Sequence, residues 1–399
     1  MNRPEKFLLF FLFILLPSQL AFHFWPSWSL IYGVRVDYLS PTLYFTDLLI
    51  IGLFFSSRLR IRVAFPVIIF IVLNTLNSTL PLLTIYKWVR VLEYFWLFKY
   101  LISIQHLAFS IQAPLSLSVL WTSSLAWMQL VKQSSVGGLA WWFGERTFSI
   151  STPGIAKIQI FNNWLTGQLG TGELLRVYAT LPHPNALAGF LLVSGLIIYF
   201  QKTQSKKLLS IEHCLPAYLA GALGIAALTV PITFSRTAIA LEILILLIWI
   251  KPLIFKILLL FFSFYFLVSI TGSAVSIPNR ISLNHLAIST IKKSPLFGVG
   301  LGSFIPASFN YARQPVHNIY LLLASELGLP SLVFLSLIVI KSLRRILSIK
   351  RWALSIAILV VATTGLADHY WLTLHQNILL LVVLLAIIKV QFMTTNDNL

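Results

Sequence analysis

Long apolar runs broken by short polar clusters recur from one end of the chain to the other. Phe7 to Leu15, Leu187 to Phe200, Leu241 to Ile250 and Leu379 to Ile388 are clear examples. A helix needs roughly 20 apolar residues to cross a bilayer. On that measure the pattern predicts about a dozen spans, at 7–25, 43–57, 63–79, 88–105, 107–130, 183–201, 214–233, 237–250, 253–272, 318–340, 352–367 and 375–391. The expected fold is all-α, a polytopic transmembrane helical bundle forming a single integral membrane domain over residues 1–399. No stretch is left for a sizeable soluble domain.

Composition agrees with this reading. Hydrophobic residues make up 58% of the chain and charged residues 10%, values far from those of an ordinary soluble domain. The formal charge of +18 raises the question of nucleic acid. Much of that charge lies in short clusters between apolar spans, where the positive-inside rule places it, and no basic face with stacking aromatics accompanies it. Nucleic-acid binding is therefore not expected. The alternation puts Arg58, Arg60 and Arg62, Lys202 with Lys206 and Lys207, Lys251 with Lys256, and Lys341 through Arg351 on the cytoplasmic side. Both termini are expected there too, with Arg3 and Lys6 opening a retained first helix. The weakest span is 88–105, where Lys87, Arg90, Glu93 and Lys99 must pair or face a polar cavity. Cys214 is the single cysteine, so an internal disulfide is ruled out.

Two longer outer loops remain, about 132–182 and 271–316. In the second, Leu283, Leu286, Ala287, Thr290 and Ile291 fall at helical spacing opposite Asn284, His285, Ser289 and Lys292, predicting a short surface helix. Arg176, Arg236, Arg280 and His317 all fall on the outer side, where a multi-pass protein normally avoids positive charge.

Four patterns lie on that face in chain order. They are Leu175-Arg176-Val177-Tyr178-Ala179-Thr180-Leu181-Pro182-His183-Pro184-Asn185, then Thr233-Phe234-Ser235-Arg236, then Pro295-Leu296-Phe297-Gly298-Val299-Gly300-Leu301-Gly302, and His317-Asn318-Ile319-Tyr320 leading to Glu326-Leu327-Gly328. With the later Gly365-Leu366-Ala367-Asp368-His369-Tyr370 segment, the set resembles the O-antigen ligase and polymerase family of bacterial membrane glycosyltransferases over roughly residues 130–390. Ala179 and Ala367 depart from it, standing where a glycine and a bulkier residue are expected. The resemblance implies transfer of a glycan from an undecaprenyl diphosphate carrier to an acceptor hydroxyl on a glycan or lipid, at the outer side of the plasma membrane. It also implies an inverting reaction without a metal or other cofactor, and it gives His317 the role of base.

The residue types fit that chemistry independently. Arginine offers an always-charged fork that binds phosphate oxygens bidentately, so Arg176 and Arg236, with Arg280 in support, are the candidate diphosphate ligands. Arg236 also opens a span, where a helix N-terminus favours an anion. Imidazole is the side chain whose ordinary pKa lies nearest neutrality, which suits His317 to accept a proton. His183, Asn185, Asn318, Asp368 and His369 are possible supporting residues. Plainer readings stand beside these: Arg236 snorkelling to lipid phosphate, Arg176 paired with Glu173, His183 forming a turn between two prolines with Asn185 capping the next helix, and His317 capping a helix. Trp141 and Trp142 suit sugar stacking and interface anchoring equally. An anion or glycan transporter is the rival function, although no internal repeat is visible.

Overall fold

The computed structural model describes residues 1–57, 59–104, 107–163, 168–209, 217–249, 254, 256, 276–308, 313–348 and 351–396. Arg58, Cys214, Lys251 and most of the expected span 253–272 lie outside the described residues. The chain is mostly helical and divides into two compact units. One unit comprises 1–12, 21–111 and 277–399; the other comprises 13–20 and 112–276.

The first unit contains α1 (Arg3–Ile14, whose end belongs to the second unit), α2 (Phe45–Ser56), α3 (Phe65–Leu76), α4 (Pro81–Ile102) and α5 (Leu107–Ser110). After the chain returns it adds α10 (Ser276–Lys293), α11 (Phe304–Ala307), α12 (Ile319–Leu327), α13 (Pro330–Ser348), α14 (Trp352–Ala367), α15 (Tyr370–Thr373) and α16 (His375–Asn396). The second unit holds α6 (Gln112–Lys132), α7 (Pro184–Leu209), α8 (Ala217–Ile232) and α9 (Arg236–Trp249). Within it α6, α7 and α8 pack against one another, and α9 packs on α7 and α8.

A bundle of twelve full-length spans is not what the described helices show. Two helices, Pro184–Gln201 and His375–Met393, are long and apolar enough to cross a membrane. Four further apolar helices are shorter, Phe45–Ser56, Phe65–Leu76, Tyr218–Ile232 and Trp352–Ala367. The expected span 7–25 stops at Ile14, and the chain leaves it for an extended segment. The expected span 318–340 is broken in two, because Gly328 takes a φ of +82° and Pro330 can only restart a helix.

Nor is the chain helical throughout. In the first unit β1 (Ala21–His23) pairs antiparallel with β4 (Thr42–Tyr44), and β2 (Leu30–Ile31) pairs with β3 (Val34–Arg35). Tyr32 and Gly33 make the tight turn between β2 and β3, with φ values of +50° and +75°. Such a two-residue hairpin turn requires both residues in the left-handed region. In the second unit the first expected outer loop carries a hairpin of β5 (Lys157–Asn163) and β6 (Gln168–Leu175).

The surface helix expected in the second outer loop is present as α10, but one face is buried. Leu283 and Ala287 join Val36, Leu39, Leu83, Phe304, Ile305, Val316 and Leu322 in a core of the first unit, while His285 and Ser289 stay exposed. Arg280 precedes Leu283 and Ala287 by three and seven residues and so lies on that inward face.

Candidate functional site

Three chain segments meet around Asp368. The first carries His317, where the Asn318 N–H donates to the Val316 carbonyl at 2.8 Å and closes a three-residue turn with His317 at its apex. Asn318 then caps α12, its Oδ1 accepting the N–H groups of Tyr320 and Leu321 at 2.9 and 3.0 Å. The second is the end of α14, brought close because Gly365 has no side chain: a Cβ there would lie 2.4 Å from Ile319 Cδ1. The third is α10, from which Arg280 donates to the Ala367 carbonyl at 2.7 Å, a charged cap on a helix C-terminus.

The result places His317 Nδ1 3.3 Å from Asp368 Oδ1, with side chains 16% and 7% exposed. The Asp368 carboxylate also accepts the His369 backbone N–H at 2.8 Å. His369 lies beside His317, ring centroids 5.0 Å apart, with the Tyr38 ring edge-on at 5.3 Å. Burial lowers the His369 pKa to about 4; Asp368 acts against that shift, and His317 and Arg280 add to it. His369 is therefore neutral at physiological pH. With its Nδ1–H donated to Asp368, a neutral His317 keeps Nε2 as an open proton acceptor, the logic by which a carboxylate fixes the tautomer of a catalytic imidazole.

Arg176, His183, Asn185 and Arg236 belong to the second unit and gather round its own turn. Arg176 follows β6 directly; its Nε donates to the Thr233 carbonyl at 2.8 Å and its Nη2 to Asn185 Oδ1 at 2.6 Å. Thr233 stands three residues before Arg236, which is exposed at the first position of α9. The expected pairing of Arg176 with Glu173 is not formed. Glu173 pairs with Lys157 at 2.9 Å and not with Arg176. Asn185 is the second residue of α7; its N–H donates to His183 Nδ1 at 3.1 Å, and its oxygen accepts from Arg176. His183 is thus a turn former at the start of α7, as its two flanking prolines suggested. Ala179 has a φ of +49°, which explains why a glycine was expected there. Trp141 and Trp142 are exposed in a 3₁₀ turn. Arg176 and Arg236 fall in the second unit, Arg280 and His317 in the first.

The glycine-rich loop and the Glu326-Leu327-Gly328 segment turn out to be two halves of one contact in the first unit. The Val299 N–H donates to the Ser325 carbonyl at 2.9 Å, and Leu329 N–H to the Pro295 carbonyl at 2.8 Å. Gly302 and Phe304 N–H groups donate to the Glu326 carboxyl oxygens at 2.9 and 3.3 Å, so these loop amides are spent on an internal partner. Asn74 joins the same contact to α3 and α4. Its amide donates to the Phe297 and Glu326 carbonyls at 2.7 and 2.8 Å, and its oxygen accepts Trp88 Nε1–H at 2.9 Å.

A further polar cluster was missed by sequence reasoning beyond the local Arg90–Glu93 pair. Arg90 lies 2.6 Å from Asp47 and 2.8 Å from Glu93. Its guanidinium also donates to Tyr94 Oη at 3.0 Å and to His375 Nδ1, while His375 Nε2 meets Thr46 Oγ1 at 2.7 Å. Tyr44 stacks on the His375 ring at 4.3 Å. The signal available in the sequence was ionisable residues inside apolar runs, which must find partners; the identity of those partners was not readable.

No family model, curated protein or solved structure matches the chain, so the family resemblance rests on its motif residues alone.

Proposed function

We propose that this chain is a multi-pass glycosyltransferase of the plasma membrane, of the O-antigen ligase or polymerase type. It would move a glycan from an undecaprenyl diphosphate carrier to an acceptor hydroxyl on the outer side. The observation that carries the reading is the His317–Asp368 pair at 3.3 Å, with Arg280 bound at the adjoining Ala367 carbonyl.

In the proposed step, Asp368 orients His317 and His317 Nε2 takes the proton of the acceptor hydroxyl. The oxygen attacks the anomeric carbon, and the bond from that carbon to the diphosphate oxygen breaks with inversion. The electron pair leaves on the diphosphate, whose charge suits arginine. Arg280 is the arginine beside the base. Arg176 and exposed Arg236 are assigned to holding a lipid diphosphate on their own unit, supported by their shared turn at Thr233.

Membrane residence is supported by apolar side chains facing outward along whole helices. Phe54, Phe55, Phe65, Val72 and Leu76 are exposed on α2 and α3, and Val333, Phe334 and Leu337 on α13. Exposed apolar faces of this kind mark a lipid or partner surface.

The test is direct. Purified protein is incubated with a polyprenyl diphosphate glycan and candidate acceptors, and the products are weighed by mass spectrometry. General-base assistance is worth about 10² to 10⁴ in rate, so His317→Ala should lose transfer by that order while still inserting in membranes. Near-normal transfer by the variant would remove His317 from the mechanism.

A further inference from the structure

Around Asp368 two imidazoles converge on one carboxylate. Thr373 Oγ1 donates to the His369 carbonyl at 3.2 Å and lies 2.8 Å from His369 Nδ1. The other ring nitrogen, Nε2, lies 3.9 Å from Asp368 Oδ1. His317 Nδ1 approaches the same oxygen at 3.3 Å, and ligand atoms of the three residues all lie within 4.8 Å of one another.

A tetrahedral cation fits among these three ligand atoms. Bonds of about 2.0–2.1 Å to nitrogen and oxygen set neighbouring ligand atoms roughly 3.3 Å apart. One of the three separations has that value already, and the others need only contract. The second nitrogen of His369 is held by Thr373, as metal-binding imidazoles are commonly held by an outer partner. Two imidazoles and one carboxylate suit zinc and its neighbours better than calcium or magnesium, which prefer all-oxygen sites.

We propose that His317, Asp368 and His369 form a transition-metal site of the zinc type, with three protein ligands and a fourth position open. The site goes beyond the proposed transferase reaction and does not depend on it. One consequence does rest on that reading: an ion bound to His317 Nδ1 leaves the proton on Nε2, so the imidazole can no longer accept one from an acceptor hydroxyl. The ion would then act as an inhibitor of transfer.

Arg280 supplies an internal check. Its guanidinium is held at the Ala367 carbonyl, next to Asp368, and opposes any cation placed there. Removing its charge should tighten metal binding, whereas an anion site would weaken.

The full-length protein in detergent, stripped with a chelator, is titrated with Zn²⁺ by calorimetry and with Co²⁺ by visible absorption. One ion per chain is expected, with the intense spectrum of tetrahedral Co²⁺. His369→Ala and Asp368→Asn should each weaken binding at least tenfold, Thr373→Val about 10- to 100-fold, and Arg280→Gln should strengthen it. His285→Ala, altering an exposed histidine on α10, should leave it unchanged. Binding that is absent, or equal in wild type, His369→Ala and Asp368→Asn, overturns the site. Because the readout is metal binding, it stands or falls apart from transfer: binding without transfer removes the proposed function alone, and transfer without binding removes the metal site alone.

Discussion

His317 and Asp368, separated by 51 residues of chain, face each other at 3.3 Å where the start of α12 meets the end of α14. The carboxylate is nearly buried and the imidazole reaches partly into solvent. If Asp368 sets the tautomer of His317, Asp368→Asn should lower transfer sharply, because an amide can donate its own N–H and favour the wrong tautomer. The expected signature is a fall in kcat with KM nearly unchanged. A variant losing affinity alone would mean that Asp368 serves binding instead.

Gly298 tests the contact between the two glycine-containing motifs. Its φ is +66°, and a Cβ would lie 2.2 Å from the Glu326 carbonyl carbon. Gly298→Ala should cost about 3–4 kcal/mol, combining left-handed strain with a backbone clash. Gly154→Ala is the control, since its φ of +76° is similar but nothing lies within 4 Å; strain alone should cost about 1–2 kcal/mol. Thermal melts in detergent compare the two, and equal losses would contradict the packing argument.

Asn74→Ala should destabilise by about 3 kcal/mol, because it strands the Trp88 indole N–H, removes the acceptor of the Leu301 N–H and takes a donor from the Phe297 and Glu326 carbonyls. Adding Trp88→Phe removes the stranded donor. The double variant should therefore lose less than the sum of the two single changes, as measured by the same melts.

The Arg90 cluster behaves as a buried charge network. Arg90→Met leaves Asp47 and Glu93 without their cation and should cost about 3–5 kcal/mol. Asp47→Asn should cost less, since Arg90 keeps Glu93. A double-mutant cycle on Arg90 and Asp47 should yield a coupling well above the ~0.5 kcal/mol scatter of independent sites.

Acid sensitivity follows from His369. Its pKa in the folded protein is about 4, below the ordinary value of 6.5, so the unfolded chain binds the proton first. The neutral ring's contribution is fully present above about 6.5 and is lost as pH falls through the window towards about 4. With metal chelated, melting temperature should drop across that window, and His369→Asn should show a shallower drop. Parallel profiles would assign the acid sensitivity to other groups.

The repeating apolar runs made a mostly helical chain legible, and the short polar clusters located its turns. The inward face of α10 was legible too, because Leu283, Ala287 and Thr290 recur at helical spacing. The alternation in Lys157-Ile158-Gln159-Ile160 and the paired turn Tyr32-Gly33 are strand signals of the same kind, weaker than the helical periodicity around them. These features are local: they depend on side-chain order over a few residues and on the φ values those residues tolerate.

What the sequence by itself determined is the apolar character of the chain, its helical periodicity and the residue types able to bind an anion or move a proton. Only the tertiary structure decided which of those residues meet. Arg280 reaches Ala367 across 87 residues and Asn74 reaches Glu326 across 252, contacts that no local period encodes. Partner choice depends on how helices close over one another, and a single missing Cβ, as at Gly365, sets which ends can touch.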